Sequence, residues 1–264
     1  MAKIAGFVLL IIVGLVLYEA MVLGVHLWRG RALAAESRPF ERQLPGAERR
    51  VLILGDSTAV GTGAGAPAGS VAGRLASDFP GVEVINLAED GARMSDVLGQ
   101  LAVAPEGPVD VILIQIGGND ILRFTEEETL RAATAEVLQS ARRRASRVVM
   151  MSTGDVGTAP AFMPPLSWIL SNRTREVREL FLDLSAAAGI EYVDLYRPPE
   201  RDPFLSDPDR YYAPDGLHPS GEGYRRWYEQ LLDDTAIAPW LKTGAVPQRR
   251  SSATLNPSAG AWLP

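Results

Sequence analysis

The 264-residue chain contains no cysteine, only two histidines and only two lysines. Without a thiol there is no disulfide, no thiolate metal site and no cysteine nucleophile. With His26 and His218 as the only imidazoles, a multi-histidine metal centre is excluded as well. Positive charge is sparse where it matters. The ends are basic, +2 over residues 1–46 and +3 over 242–264, which leaves 47–241 at −11 within a formal total of −6. An acidic body of this kind repels a polyanion, so no nucleic-acid partner is expected. No internal repeat is visible.

Charge is also missing from the start of the chain. Residues 4–18 form an unbroken apolar run that resumes after Glu19 and continues to Val25. Residues 4–28 would span roughly 37 Å as a helix, enough to cross a bilayer. The expectation is an N-terminal transmembrane signal-anchor over 1–29, single-pass, taking no part in the chemistry. A cleaved signal peptide competes, with a small-residue site at Ala32-Leu33-Ala34. Glu19 is costly in a lone membrane helix. The counted charges favour a cytoplasmic domain, whereas the three-residue tail ahead of the run favours the extracytoplasmic side; both stay open. Residues 30–46, polar and containing Pro39 and Pro45, read as a linker. Residues 242–264 are rich in Ser, Pro, Ala and Gly and read as a disordered tail.

Between these lies a domain, 47–241, in which strand and helix alternate. Short apolar runs at 51–54, 82–87, 109–116, 148–151 and 190–195 suit strands buried on both faces of a parallel sheet. Helical stripes lie between them: Leu130, Ala133, Val137, Leu138 and Ala141, then Val177, Leu180, Phe181, Leu184 and Ala188, then Tyr224, Trp227, Tyr228, Leu231 and Leu232. Thr125 with Glu128 reads as a capping box, Gly189 as a helix end and Ser220 as an N-cap. Five βα units with right-handed crossovers give a three-layer α/β/α sandwich on a five-stranded parallel sheet.

Ligands of such sheets sit at the carboxyl ends of the strands, so the loops that follow each strand carry the chemistry. They read Gly55-Asp56-Ser57-Thr58, Asn86 to Gly91, Gly117-Gly118-Asn119-Asp120, and, before the last long helix, Asp215 to Pro219. All four fall on one edge. A serine at a strand-to-helix turn presents its hydroxyl there, but needs a base to become nucleophilic. His218 is the only imidazole in this domain, and Asp215 three residues earlier can reach its Nδ1. Asn119, Gly91 and the Ser57 N–H supply donors for an oxyanion. The stretch Phe162, Met163 and Trp168 is a candidate substrate-binding wall. A Gly-x-Gly-x-x-Ala string at 61–66 suggests nucleotide binding, but it begins seven residues after the strand ends, the wrong register for a phosphate loop.

These blocks, in this order, resemble the SGNH, or GDSL-type, hydrolases, over about residues 50–233. The resemblance implies a flavodoxin-like fold of SGNH type and an esterase with Ser57 as nucleophile and Asp215 and His218 completing the triad. It also implies an oxyanion hole of Ser57, Gly91 and Asn119, no metal and no cofactor. Thr58 stands where the family often has an apolar residue. The implied function is a membrane-anchored serine hydrolase of carboxylic esters, its substrate a small-molecule or lipid ester. A non-catalytic membrane-tethered binding module on the same fold, or an acyltransferase using the same site, are the alternatives.

Overall fold

The computed structural model describes residues 2–243. The chain begins with helix α1 (Ala2–Glu36), followed by β1 (Arg49–Gly55), α2 (Ser57–Val60), α3 (Val71–Asp78) and β2 (Val82–Asn86). Next come α4 (Val97–Val103), β3 (Val109–Gln115), α5 (Gly118–Leu122), α6 (Glu127–Arg144) and β4 (Ala145–Met151). The last elements are α7 (Leu166–Ala188), β5 (Glu191–Val193), α8 (Pro203–Ser206), α9 (Pro208–Tyr211), α10 (Gly221–Asp234) and α11 (Ile237–Thr243).

The sheet is five-stranded and parallel throughout, in the order β2-β1-β3-β4-β5. Each strand of the sequence reading is present. The continuous apolar runs have the expected cause, since alternate residues of β1 enter cores on opposite faces. Val51 and Ile53 pack with α3 and α10, whereas Leu52 and Leu54 pack with α4. The stripes of α6, α7 and α10 turn inward as expected, Ser220 caps α10 by accepting from the Gly223 N–H, and Gly189 ends α7 in the left-handed region. The capping box at Thr125 is not formed. Glu126 is the N-cap residue of α6, without a side-chain cap.

Chain order reverses between β1 and β3, so the crevice lies at their carboxyl ends. The left-handed glycines that aim the loops there include Gly55, where a Cβ would lie 1.8 Å from the Gln115 carbonyl oxygen. Only glycine fits.

Three expectations need correction or restatement. Among the described residues no helix is long and apolar enough to cross a membrane. The side chains at 1–3, 5, 8, 9, 11, 12 and 15 lie outside those described, and the stretch from Val16 onward is diluted by Glu19, His26, Arg29, Arg31 and Glu36. Second, α1 does not stop at residue 29. It runs on to Glu36, into the stretch read as a linker, and the remainder of that stretch is tied down: Arg42 pairs in a bridge with Val84 and its guanidinium donates to the carbonyls of Ala76, Phe79 and Val82. Third, the tail expected over 242–264 lies, from 244 onward, outside the described residues.

Candidate active site

The turn that leaves β1 is built to display Ser57. Gly55 is held through both backbone groups by one amide, Gln100, whose Oε1 accepts from the Gly55 N–H at 2.8 Å and whose Nε2 donates to the Gly55 carbonyl at 2.9 Å. Asp56 caps α2, its Oδ1 accepting from the Thr58 N–H and the Thr58 hydroxyl at 2.9 and 2.7 Å. Thr58, the residue that departs from the family pattern, thus reinforces the turn. Asn86 ties the neighbouring loop to the same helix by donating to the Ala59 carbonyl. Ser57 opens α2, so its N–H has no partner within the helix.

His218 reaches this hydroxyl across 161 residues of sequence. Its Nε2 lies 2.8 Å from Ser57 Oγ, and its Nδ1 lies 2.6 Å from Asp215 Oδ2. Because an ionised carboxylate only accepts, Nδ1 carries the proton and Nε2 is left to accept from the serine. Asp215 is fully buried. Burial pushes its carboxyl up, but the hydrogen bond and charge of His218 and the N–H groups of Leu217 and His218, both 3.0 Å from Oδ1, outweigh this and hold it below the usual range. The carboxylate is therefore ionised where the imidazole needs it.

Asp120 and Asp155, the other carboxylates near this edge, are committed elsewhere. Asp120 accepts from the Met94 N–H and Asp155 from the Gly157 N–H. Asp56, wholly buried, is different: desolvation pushes its pKa up to about 6, against the opposing pull of its Thr58 hydrogen bonds and of His218.

Ser57 and His218 open onto a cavity of about 510 Å³, within the usual range for a ligand pocket. Gly91 and Asn119 line it beside them. Its remaining walls include Leu122, Val156, Phe162, Leu166 and Leu170. Of the expected wall residues, Phe162 lines the cavity, whereas Met163 is not among its lining residues and Trp168 is 69% exposed on the outer face of α7.

The glycine-rich string at 61–66 packs against the histidine loop rather than forming an open cradle. A Cβ on Gly63 would lie 2.6 Å from the Pro219 carbonyl oxygen, and Tyr224 donates to the Thr62 carbonyl. Gly63 serves this close approach, whereas Gly61 faces Ser70.

The profile of the GDSL-like Lipase/Acylhydrolase family matches residues 53–226, two thirds of the chain. The chain belongs to that family. No curated protein matches it in sequence. Among solved structures, a lipolytic protein of the G-D-S-L family from Veillonella parvula is 20% identical, with 70% of this chain and 97% of that one covered at a TM-score of 0.54. A lipase/acylhydrolase from Enterococcus faecalis is 22% identical, with coverage of 70% and 94% and a TM-score of 0.54. An acetyl xylan esterase from Geobacillus stearothermophilus is 19% identical, with coverage of 72% and 95% and the same TM-score. At these identities the likeness is one of fold, and the family match leaves residues 1–52 of this GDSL-like chain outside it.

Sequence reasoning missed two residues at the site, His26 and Gln100. His26 was assigned to the anchor, yet its Nδ1 lies 2.6 Å from the Asp215 carbonyl oxygen. The signal was present as a stripe, Leu23, Leu27, Gly30 and Ala34, at helical spacing, starting inside the apolar run and continuing past its end. Gln100 was a lone amide in an apolar helix, buried at 4% exposure.

Proposed function

We propose that the protein is a membrane-anchored serine hydrolase of carboxylic esters. The observation that carries this reading is the unbroken chain from Ser57 Oγ through His218 to the buried Asp215, opening on a largely apolar cavity. Ser57 Oγ attacks the ester carbonyl carbon and its proton passes to His218 Nε2. The tetrahedral oxyanion is held by the Ser57 and Gly91 N–H groups and the Asn119 amide. The C–O bond to the alcohol then breaks, the alcohol leaving with the proton from His218. Water attacks the acyl-serine with His218 again as base, and the acid departs. Asp215 holds the imidazole in its tautomer and stabilises the imidazolium.

Anchoring is supported by α1 itself. Ile4, Phe7, Leu10, Val13, Leu17 and Met21 are all exposed, an apolar surface that water does not tolerate on an isolated helix. The proposal puts the domain on the extracytoplasmic side. The protein is then expected in membrane fractions, released by detergent but not by salt, with the domain digested by protease in right-side-out vesicles and protected in inverted ones. Recovery in the soluble fraction would end the anchoring proposal.

The enzymatic reading is tested by fluorophosphonate labelling. Wild-type protein should label at Ser57, and Ser57→Ala should be folded, unlabelled and reduced in ester turnover by about 10⁴-fold or more. Turnover close to wild type in folded Ser57→Ala would overturn the mechanism.

A further inference from the structure

Helix α1 is more than a tether. Its residues Leu23, His26, Leu27, Gly30, Arg31 and Ala34 all line the cavity that holds Ser57. The contact with the catalytic loop is close and polar. His26 Nδ1 is 2.6 Å from the Asp215 carbonyl oxygen, and since a carbonyl only accepts, that nitrogen is the donor. Arg29 donates to the adjacent Pro214 carbonyl at 3.2 Å. Two glycines let the helix approach: a Cβ on Gly30 would lie 3.2 Å from Asp215 Oδ2, and one on Gly216 3.0 Å from His26 Cε1. The backbone of the residue that orients His218 is therefore held by an element outside the 53–226 family match.

We infer that residues 23–34 of α1 complete the active site, His26 positioning the Asp215 loop and Leu23 and Leu27 forming the wall along which the acyl chain of an ester lies. This rests on the serine-hydrolase reading and names its substrate class: esters whose acyl chain is apolar and several carbons long, rather than acetyl esters of sugars. Phe162, Leu166 and Leu170 add further apolar lining to the same cavity. Exposed Phe124 lines the same cavity, and exposed Trp168 and Ile169 stand on the helix that supplies Leu166. Met21, on the exposed apolar part of α1, is five residues from His26, about 8 Å along the axis. A chain leaving a bilayer that holds the first half of α1 meets the cavity within two turns of helix.

The test uses the full chain in detergent micelles, with chromogenic esters from acetate to dodecanoate and rates normalised to sites labelled by fluorophosphonate. Each methylene buried at about 0.8 kcal/mol is worth roughly fourfold in affinity, so kcat/KM should rise at least tenfold from acetate to octanoate. Leu27→Trp should move the optimum to shorter chains, and Leu27→Ala should move it to longer ones. His26→Ala should lower kcat on every ester at least tenfold with KM little changed. His26→Asn, whose Nδ2 stands near the place of the imidazole Nδ1, should restore most of it. A flat or acetate-favouring profile, or an optimum unmoved by both Leu27 variants, overturns the acyl wall. Wild-type kcat in His26→Ala, or a loss that His26→Asn does not rescue, overturns the positioning role. Absence of labelling at Ser57 would instead strike the hydrolase reading, so the two failures are distinct.

Discussion

At the scale of single residues, charge and burial set what each group contributes. The oxyanion role proposed for Asn119 requires a stronger bond to the oxyanion than to the carbonyl it came from, so Asn119→Ala should lower kcat by roughly 10²–10³, about 2.7–4 kcal/mol, with KM little changed. A rise in KM alone would assign it to ground-state binding. Asp215→Asn removes the acceptor that fixes the Nδ1–H tautomer of His218, and kcat should fall by on the order of 10⁴ while the fold persists. A kcat near that of wild type would mean that another group orients the ring, although Asp120 and Asp155 are committed to the Met94 and Gly157 N–H groups. Asp56 makes a separate prediction. Its folded pKa is raised to about 6 by desolvation, so its contribution to stability is full below the ordinary carboxylate range and is lost as pH rises through about 6. Two pKa units at about 1.4 kcal/mol each put the loss on the order of 3 kcal/mol. Asp56→Asn keeps a capping side chain without an ionisation. Urea unfolding at pH 4 and pH 8 should show a smaller decline for the variant than for wild type, and equal declines would refute the assignment. Asp215 has the opposite sign, its contribution present above the ordinary carboxylate range and lost only in stronger acid. The candidate residues that meet at the crevice, Ser57, Gly91, Asn119, Asp215 and His218, were legible at this scale because each block is short and carries its chemistry in residue type. His26 was not, because its partner is a backbone carbonyl 189 positions away, and a carbonyl leaves no mark on sequence.

Elements were read well where period alone decides them. The inner strands β1, β3 and β4 carry continuous buried apolar runs because both of their faces are covered, while edge strand β2 alternates, and the helices show their stripes because each is covered on one face. The boundaries failed where a cap or a contact intervened. The helix expected to begin at a Thr125 cap begins at Glu127, and α1 continues to Glu36, with Gly30, Arg31 and Ala34 of its last turns lining the cavity. The stretch after it is a clasp rather than a free linker. Arg42 places its guanidinium on three carbonyls of the 76–82 turn while its backbone pairs with Val84 on edge strand β2. Covering an edge in this way blocks pairing with another chain. Arg42→Ala should therefore destabilise by about 1.5–3 kcal/mol, the usual worth of hydrogen bonds to a charged group. In urea unfolding the midpoint should fall with an unchanged slope. An unchanged midpoint would show that the clasp holds nothing.

For the whole molecule, the sheet order brings the ends of β1 and β3 together, and loops separated by more than 150 residues converge on one crevice. The first helix then joins what its composition separates, an apolar half that lies exposed and a half that walls the site. Deleting residues 2–21 should release the protein from membranes yet retain turnover of soluble esters. Deleting 2–36 should cost at least a further tenfold in kcat/KM, measured per folded molecule. Equal activity of the two truncations would return α1 to the role of a plain tether. The amino-acid sequence by itself determined the parallel α/β/α architecture and the sheet edge on which Ser57, Asn119, Asp215 and His218 meet. Periodicity and residue type are local properties and need no partner to be read. Only the tertiary structure decided that Gln100 clamps the turn before Ser57, that Gly63 serves a close approach to the histidine loop, and that His26 and Leu27 line the cavity with Ser57. Each of these rests on a distance between segments remote in sequence, and such distances exist only once the chain has packed.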